Sequence, residues 1–507
     1  MPRISRCDFD HGAAGARQHG IVPEWTYIEV HSWEVEMSER PGFLVQGERA
    51  RLFPVLADTS KEGRTLSIVL ACMETIDEFG KALLSSLGVK VGSRTRVEAY
   101  TEVVLKHRGD GKARPDGLLV LRSGSSTWTV LVEAKVGNSE LSASQVETYL
   151  ELARLNGIDG LLTISNQFAP LPSHHPVALG SSVLKKAGLW HWSWMYVLTQ
   201  ATLHLENGEV SDREQRVILN EMIRFLSHPS AGVKGFEQMP AAWTAVANAV
   251  QAGGTLTAKS TEVLEVVGAW YQETRDLSLI LSRQLGEEVS VRVPRAHVLD
   301  PALRLKDDAE LLANECRLRS LFSVPNTAAA IEVAADFNRR SIYASMRVAA
   351  PGDRKSTKAR LNWLLRQLAK SKPENIHIRL FWPGRGPFSQ HPLSLLRQTP
   401  EAAEQGGKVV SSFEVVYARD LAGRFAQRRN FVVDMEDSIP DFYEQVGQHL
   451  KAWQPQAPRI KEDRTDPADV GTAAIQQEAE EAVLERNVDG EITGPIASDS
   501  DGAIAHV

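Results

Sequence analysis

Asp116, Glu133 and Lys135 are the residues of this chain whose types and spacing point to chemistry. Asp116 stands in Arg114-Pro115-Asp116-Gly117 at the head of one apolar run, and Glu133-Ala134-Lys135 ends the next. Alternate side chains on a strand share a face, so Glu133 and Lys135 point the same way. A hairpin between the two runs can bring Asp116 beside Glu133. Two carboxylates at one spot repel each other, and the pairing makes sense when a divalent cation lies between them. Magnesium takes hard oxygen ligands and keeps several of its waters. A lysine beside it can orient an attacking water and neutralise developing negative charge. That is machinery for hydrolysing a phosphodiester. A solvent-facing edge strand could carry the same Glu-x-Lys as a plain ion pair. The apolar Val130-Leu131-Val132 before Glu133 points instead to a central strand, where charge is seldom buried without a role.

The elements that must position these residues can be read around them. Residues 65–87 repeat apolar side chains at helical spacing (Leu66, Val69, Leu70, Met73, Ile76, Leu83, Leu84), which predicts one amphipathic helix stopping near Gly88. Strands are expected at 97–106, 114–122 and 127–136, separated by the turn-forming GDGK and SGS. A helix from Ser142 to Asn156 follows, with Ser142 as its N-cap. Then come a buried strand at 160–166, a strand through LWHWSW (189–194), a helix from about Met195 and a closing helix at about 211–227. This order predicts an α/β domain, a mixed sheet flanked by helices. The expected organisation is a flexible N-terminus over 1–22, this domain over 23–229, an α+β accessory domain over 230–456 and a disordered acidic tail over 457–507.

A chain of 507 residues fits two or three domains. Its formal charge is −7, but residues 460–507 alone hold 12 acids against 3 bases and no aromatic ring, a net of −9, so the remainder sums to +2. Such a tail buries too little apolar surface to offset its chain entropy. The balance excludes a chain that grips nucleic acid through bulk charge and leaves room for a local basic face. Cys7, Cys72 and Cys316 are few and scattered, which excludes a disulfide framework and a Cys-rich zinc site and points to a reducing cytoplasm. No apolar stretch is long enough to span a bilayer, so no membrane partner is expected. His174-His175 lacks a third ligand at metal spacing, and neither a phosphate-binding GxxxxGK[ST] loop nor a Gly-x-Ser-x-Gly elbow is present.

With Pro115-Asp116, Glu133-Ala134-Lys135 and Gln145-Val146-Glu147-Thr148-Tyr149 in this order, residues 97–167 resemble the PD-(D/E)xK, restriction-endonuclease-like nuclease superfamily, in its QxxxY-containing branch. The resemblance covers residues 65–230 at most. It implies that Asp116, Glu133 and the Ala134 carbonyl hold Mg2+, with Mn2+ as a substitute. It further implies that Lys135 orients the water and that Gln145 and Tyr149 hold a DNA phosphate or steady the site. The superfamily often adds an upstream carboxylate. Glu74, Glu78, Glu98 and Glu102 are the candidates, with Glu102 preferred because its strand should neighbour Asp116. The implied activity is a metal-dependent deoxyribonuclease, with RNA not excluded. A restriction or phage-defence effector is the biological role that the analogy suggests. The alternative is a non-catalytic nucleic-acid-binding or scaffold protein that keeps the nuclease fold.

The second domain contributes a basic segment. Residues 339–372 hold ten Lys/Arg against one acid, Asp353. Arg354, Lys355, Lys358 and Arg360 fall at the start of a helix expected over 354–370, where cations oppose the helix dipole and an anionic partner would relieve the conflict. They are the expected nucleic-acid contacts. A homodimer or a protein partner through this domain is the competing use. Trp190, Trp192 and Trp194 alternate and are expected to form a core stripe rather than a base-stacking platform.

Overall fold

The computed structural model describes residues 41–53, 61–107, 114–177, 179–180 and 187–455. The expectations for residues 1–22 and 457–507 lie outside them. The described residues form a mixed α/β structure with two sheets and twelve α-helices.

The first sheet holds β1 (Leu44–Arg49), β2 (Arg96–Leu105), β3 (Gly117–Ser123), β4 (Ser126–Ala134), β5 (Gly160–Ser165) and β6 (Gly188–Ser193), in that spatial order. β1 to β4 run antiparallel to their neighbours, while β4, β5 and β6 run parallel. Every residue of β5 is buried, as the helix-covered centre of a parallel stretch requires. The helices of this unit are α1 (Lys61–Thr75), α2 (Asp77–Ser85), α3 (Ala143–Leu155), α4 (Trp194–Glu206) and α5 (Arg213–Leu226). One face of the sheet (Val130, Val132, Leu162, Ile164) packs on α1, α2, α4 and α5. The other (Leu118, Val120, Leu131, Leu161) packs on Val146, Leu150 and Ala153 of α3. Burial of each such Val or Leu contributes ~1.5–3 kcal/mol.

The single helix expected over 65–87 is two. Ile76 is extended (φ −110°, ψ 98°) and separates α1 from α2. Gly80 permits the break: a Cβ there would lie 2.1 Å from the Met73 carbonyl oxygen, so only glycine lets α2 fold back so closely on the end of α1. Of the tryptophans, Trp192 ends in the core on β6, and Trp194 is already in the first turn of α4, also fully buried. Ser193 caps α4 by accepting the Tyr196 N–H at 3.0 Å.

The second unit contains α6 (Ala241–Gln251), α7 (Thr261–Leu285), α8 (Arg295–Leu299), α9 (Pro301–Glu315), α10 (Thr357–Gln367), α11 (Leu393–Gln398) and α12 (Arg428–Phe442). Its strands are β7 (Ser290–Arg292), β8 (Arg317–Ser323), β9 (Ile331–Asp336), β10 (Ser341–Ala349), β11 (Ile376–Phe381), β12 (Ser389–Pro392) and β13 (Ser412–Asp420). They make a wholly antiparallel sheet of spatial order β12-β11-β13-β10-β9-β8-β7. α7 joins the units: Leu279 belongs to the first core, Leu277 and Leu281 to the second. No described helix is long and apolar enough to cross a membrane.

Candidate active site

Asp116 immediately precedes β3, and β3 pairs with β4 so that Gly117 lies opposite Val132. One step further along this antiparallel register brings Asp116 beside Glu133. The Ala134 N–H donates to Asp116 Oδ2 at 2.9 Å, which fixes that carboxylate across the strand end. Gly117 matters here. A Cβ on it would meet Leu70 Cδ1 at 3.0 Å and the Tyr100 carbonyl at 3.2 Å, so glycine allows α1 to lie close to β3 next to Asp116.

Glu133 is 2% exposed. Its Oε1 accepts from Lys135 Nζ and from Gln145 Nε2, both at 2.6 Å. Its Oε2 is buried with no hydrogen-bond partner among the described residues. Gln145 reaches it because Ser142 starts α3, its hydroxyl accepting the Gln145 N–H at 3.2 Å. One turn on, the Tyr149 hydroxyl donates to the Arg114 carbonyl at 3.1 Å and so orders the segment leading to Asp116. Lys135 lies just past β4. Its N–H donates to the Ile164 carbonyl, and its own carbonyl accepts from Trp194 Nε1, each at 2.8 Å. The lysine that carries the chemistry in the sequence reading is therefore held at both backbone ends.

The electrostatics follow from burial. Burial, then the Asp116 charge, pushes the Glu133 carboxyl up to about 7. Burial also raises Asp116, more than the Ala134 N–H and Lys135 lower it. Burial alone would lower Lys135, but the hydrogen bond it donates to Glu133 and the charges of Glu133, Asp116 and Glu62 outweigh it, so its ammonium is favoured. Burial and Glu133 push Tyr149 up to about 12 and keep it a hydrogen-bond donor.

Glu102, the preferred candidate for an upstream carboxylate, is engaged by a neighbour. Glu102 sits on a bulge of β2 with φ 53° and pairs with Arg114 at 2.5 Å. Glu98 is held by Arg122 at 2.8 Å and by the Tyr100 hydroxyl, while Glu74 pairs with Arg49 and accepts the Ala99 N–H. Glu78 lies in the first turn of α2, across the break from α1. Glu62, in the first turn of α1, lies 3.7 Å from Lys135 Nζ and so comes to the site among the described residues. The apolar stripe begins only at Leu66, so its periodicity does not announce the extra turn that carries Glu62.

A second feature also went unread in the sequence. Thr163 and His191 lie in register with Glu133 across β4, β5 and β6, on the same face. Thr163 Oγ1 is 2.9 Å from His175 Nε2 and 2.8 Å from His191 Nδ1, and His191 Nε2 is 2.8 Å from the Gln167 carbonyl. Burial pushes His175 down to about 4 and, with His175 beside it, His191 down to about 3, so both are neutral. A carbonyl only accepts, which assigns the His191 proton to Nε2. The Thr163 hydroxyl then donates to His191 Nδ1 and accepts from His175 Nε2, a one-directional chain inferred from the network. Each imidazole found a hydroxyl or a carbonyl, and His174 Nε2 meets the Val298 carbonyl at 2.9 Å.

The basic segment does not present the contacts expected of it. Ser356 caps α10, so Arg354 and Lys355 precede the helix. Arg354 donates to the Ala359 carbonyl, and Arg360 to the Arg354 and Val410 carbonyls. Lys358 pairs with Glu401, which already relieves its conflict with the helix dipole. Lys355 remains exposed.

A cleft of about 530 Å³ is lined by Gly137, Asn138 and Asn166 after β4 and β5, by Lys234 and Gln238, and by Gln272 of α7, and by none of Asp116, Glu133 and Lys135. It lies outside the carboxyl ends of parallel strands, where open α/β sheets bind ligands. No family model, no curated protein and no solved structure matches the chain.

Proposed function

We propose that the first unit is a magnesium-dependent nuclease that hydrolyses phosphodiester bonds of DNA, with Asp116, Glu133 and Lys135 at its centre. One observation carries the reading. Glu133 is buried beside a second carboxylate with one oxygen unpartnered, and leaving a buried carboxylate oxygen unpaired is expensive unless a cation takes it. Among the described residues no three His, Cys, Asp or Glu side chains form a complete ligand set. Asp116, Glu133 and the Ala134 carbonyl fit an ion that keeps most of its waters, as magnesium does. Such an ion would polarise the phosphoryl group and acidify a bound water.

The chain's own residues supply the rest. Gln145 fixes Glu133 through Oε1 and leaves Oε2 free. The Lys135 ammonium offsets negative charge developing on the phosphorus oxygens. Glu62 holds that ammonium from the α1 side. Tyr149 and Trp194 fix the two backbone segments that carry Asp116 and Lys135. A binding module that retains the nuclease fold is the second reading. It is favoured by the Glu133–Lys135 ion pair, which satisfies the lysine without a metal.

The test is a cleavage assay on linear, circular and single-stranded DNA and on RNA, in magnesium, manganese or EDTA, with wild type beside Asp116→Ala. Metal-dependent cutting that Asp116→Ala abolishes supports the nuclease, and the circular substrate separates endonuclease from exonuclease. Magnesium-independent binding without cutting by wild type on any substrate favours the module.

A further inference from the structure

Among the described residues, the helices of the second unit pack their apolar side chains on one face of the seven-stranded sheet. The apolar side chains of α6, α7, α9, α10, α11 and α12 join a single core with Ile342, Ala344, Met346, Ile376, Ile378 and Leu380. On the other face β11 presents His377, Arg379 and Phe381, none of them buried. At the β12 end this face carries rings and guanidinium groups together. The Arg347 guanidinium lies 3.8 Å from the Phe381 ring centroid, and Arg379 lies 5.1 Å from that of Phe388. The two phenylalanine rings are 5.5 Å apart, and Phe388 is 47% exposed.

Arg347, Glu414 and Arg379 stand in register across β10, β13 and β11. Glu414 is taken up by Arg379 at 3.2 Å and Ser345 at 2.8 Å. Arg347 donates to the Ser412 hydroxyl and has no carboxylate partner among the described residues. Arg385, in the exposed Pro-Gly-Arg-Gly-Pro turn between β11 and β12, likewise has none. Arg347, Arg379 and Arg385 stand against Glu414 and Glu332, which β9 places on the same face opposite Ser345, so the patch keeps a net positive charge where its rings are open. An unpaired base can stack on an exposed phenylalanine or on a guanidinium plane, whereas a duplex keeps its base faces inside.

We propose that this sheet face binds single-stranded nucleic acid, with bases stacking on Phe388 and on the outer plane of Arg347, and phosphates meeting Arg347 and Arg385. The identity of the ligand rests on the nuclease reading, but the surface is separate from Asp116 and Lys135. It takes the place of Arg354, Lys358 and Arg360 as the nucleic-acid contact of the second unit, because those three are already engaged.

The test measures fluorescence anisotropy of a labelled oligothymidylate and of its duplex with oligoadenylate. It uses the full chain carrying Lys135→Ala in EDTA, so that cleavage cannot intervene. The single strand is expected to bind more tightly than the duplex, and more weakly as salt rises. Phe388→Ala should weaken binding about tenfold, the size of one lost base stack. Phe388→Trp should restore it, and Arg347→Gln should weaken it and flatten the salt dependence. Because Phe388 is exposed, its substitution leaves the core intact. Unchanged affinity in both Phe388→Ala and Arg347→Gln, or preference for the duplex, overturns the proposal. If wild type cuts DNA while Phe388→Ala binds normally, the platform fails and the nuclease reading stands. If single-strand binding depends on Phe388 in a chain that cuts nothing, the platform stands and the nuclease reading fails.

Discussion

Glu133→Gln distinguishes a carboxylate kept for a ligand from an ordinary ion-pair partner. The Glu133 carboxyl is pushed from 4.5 up to about 7, chiefly by burial. Between those values the folded protein binds a proton that the unfolded chain has released. Stability contributed at this group is therefore present at low pH and is lost as pH rises through the window. At 1.36 kcal/mol per unit, the ionised side chain costs the fold ~3 kcal/mol above pH 7. Glutamine keeps an oxygen for Lys135 and Gln145 and removes the charge. Its hydrogen bond to the ammonium is weaker, which returns ~1–2 kcal/mol of that gain. In EDTA at pH 8 the variant should be more stable by ~1–2 kcal/mol, raising the melting temperature by ~2–8 °C for a unit of this size. At pH 5 the advantage should vanish. Magnesium at pH 8 should raise the midpoint of wild type and leave Glu133→Gln unmoved. Scanning calorimetry at the two pH values, with and without magnesium, reads all of this. A variant less stable than wild type at both pH values in EDTA refutes the reasoning, because Glu133 would then be a net stabilising partner of Lys135.

Three further outcomes follow from particular contacts. Gly80→Ala places a methyl group 2.1 Å from the Met73 carbonyl, and should destabilise the first unit by ~1–3 kcal/mol in denaturant titration. Trp194→Phe removes the 2.8 Å hydrogen bond to the Lys135 carbonyl; it should cost ~1 kcal/mol and lower the cleavage rate more than it raises the substrate KM. Glu273 on α7 is fully buried with neither carboxylate oxygen partnered, and burial followed by Glu436 and Asp276 raises its pKa well above the usual range. A raised carboxyl loses stability as pH rises, so wild type should lose melting temperature towards alkaline pH and Glu273→Gln should lose less.

The sequence made much of the site legible because its cues are local. Ser142 as N-cap and the i,i+4 pair Gln145 and Tyr149 locate α3 and the face it turns to Glu133. The uninterrupted apolar runs before Glu133 and after Asp116 identify buried central strands. What stayed hidden depends on distant partners. The apolar stripe runs straight through Ile76, and only the approach of Gly80 to Met73 shows the break between α1 and α2. Glu62 precedes the stripe and gains its place through Lys135, far along the chain. Glu102 has the right strand but loses its place to a bulge and to Arg114. The charge count over 339–372 could not reveal that carbonyls and Glu401 already hold Arg354, Arg360 and Lys358.

The most direct test of the central claim is the single-turnover cleavage rate of linear DNA in magnesium, for wild type and Lys135→Ala prepared to the same melting temperature. The account predicts cutting by wild type and a loss of ~100-fold or more in the variant, the scale on which a positioned charged group acts in the transition state. Equal rates for the two proteins would contradict it.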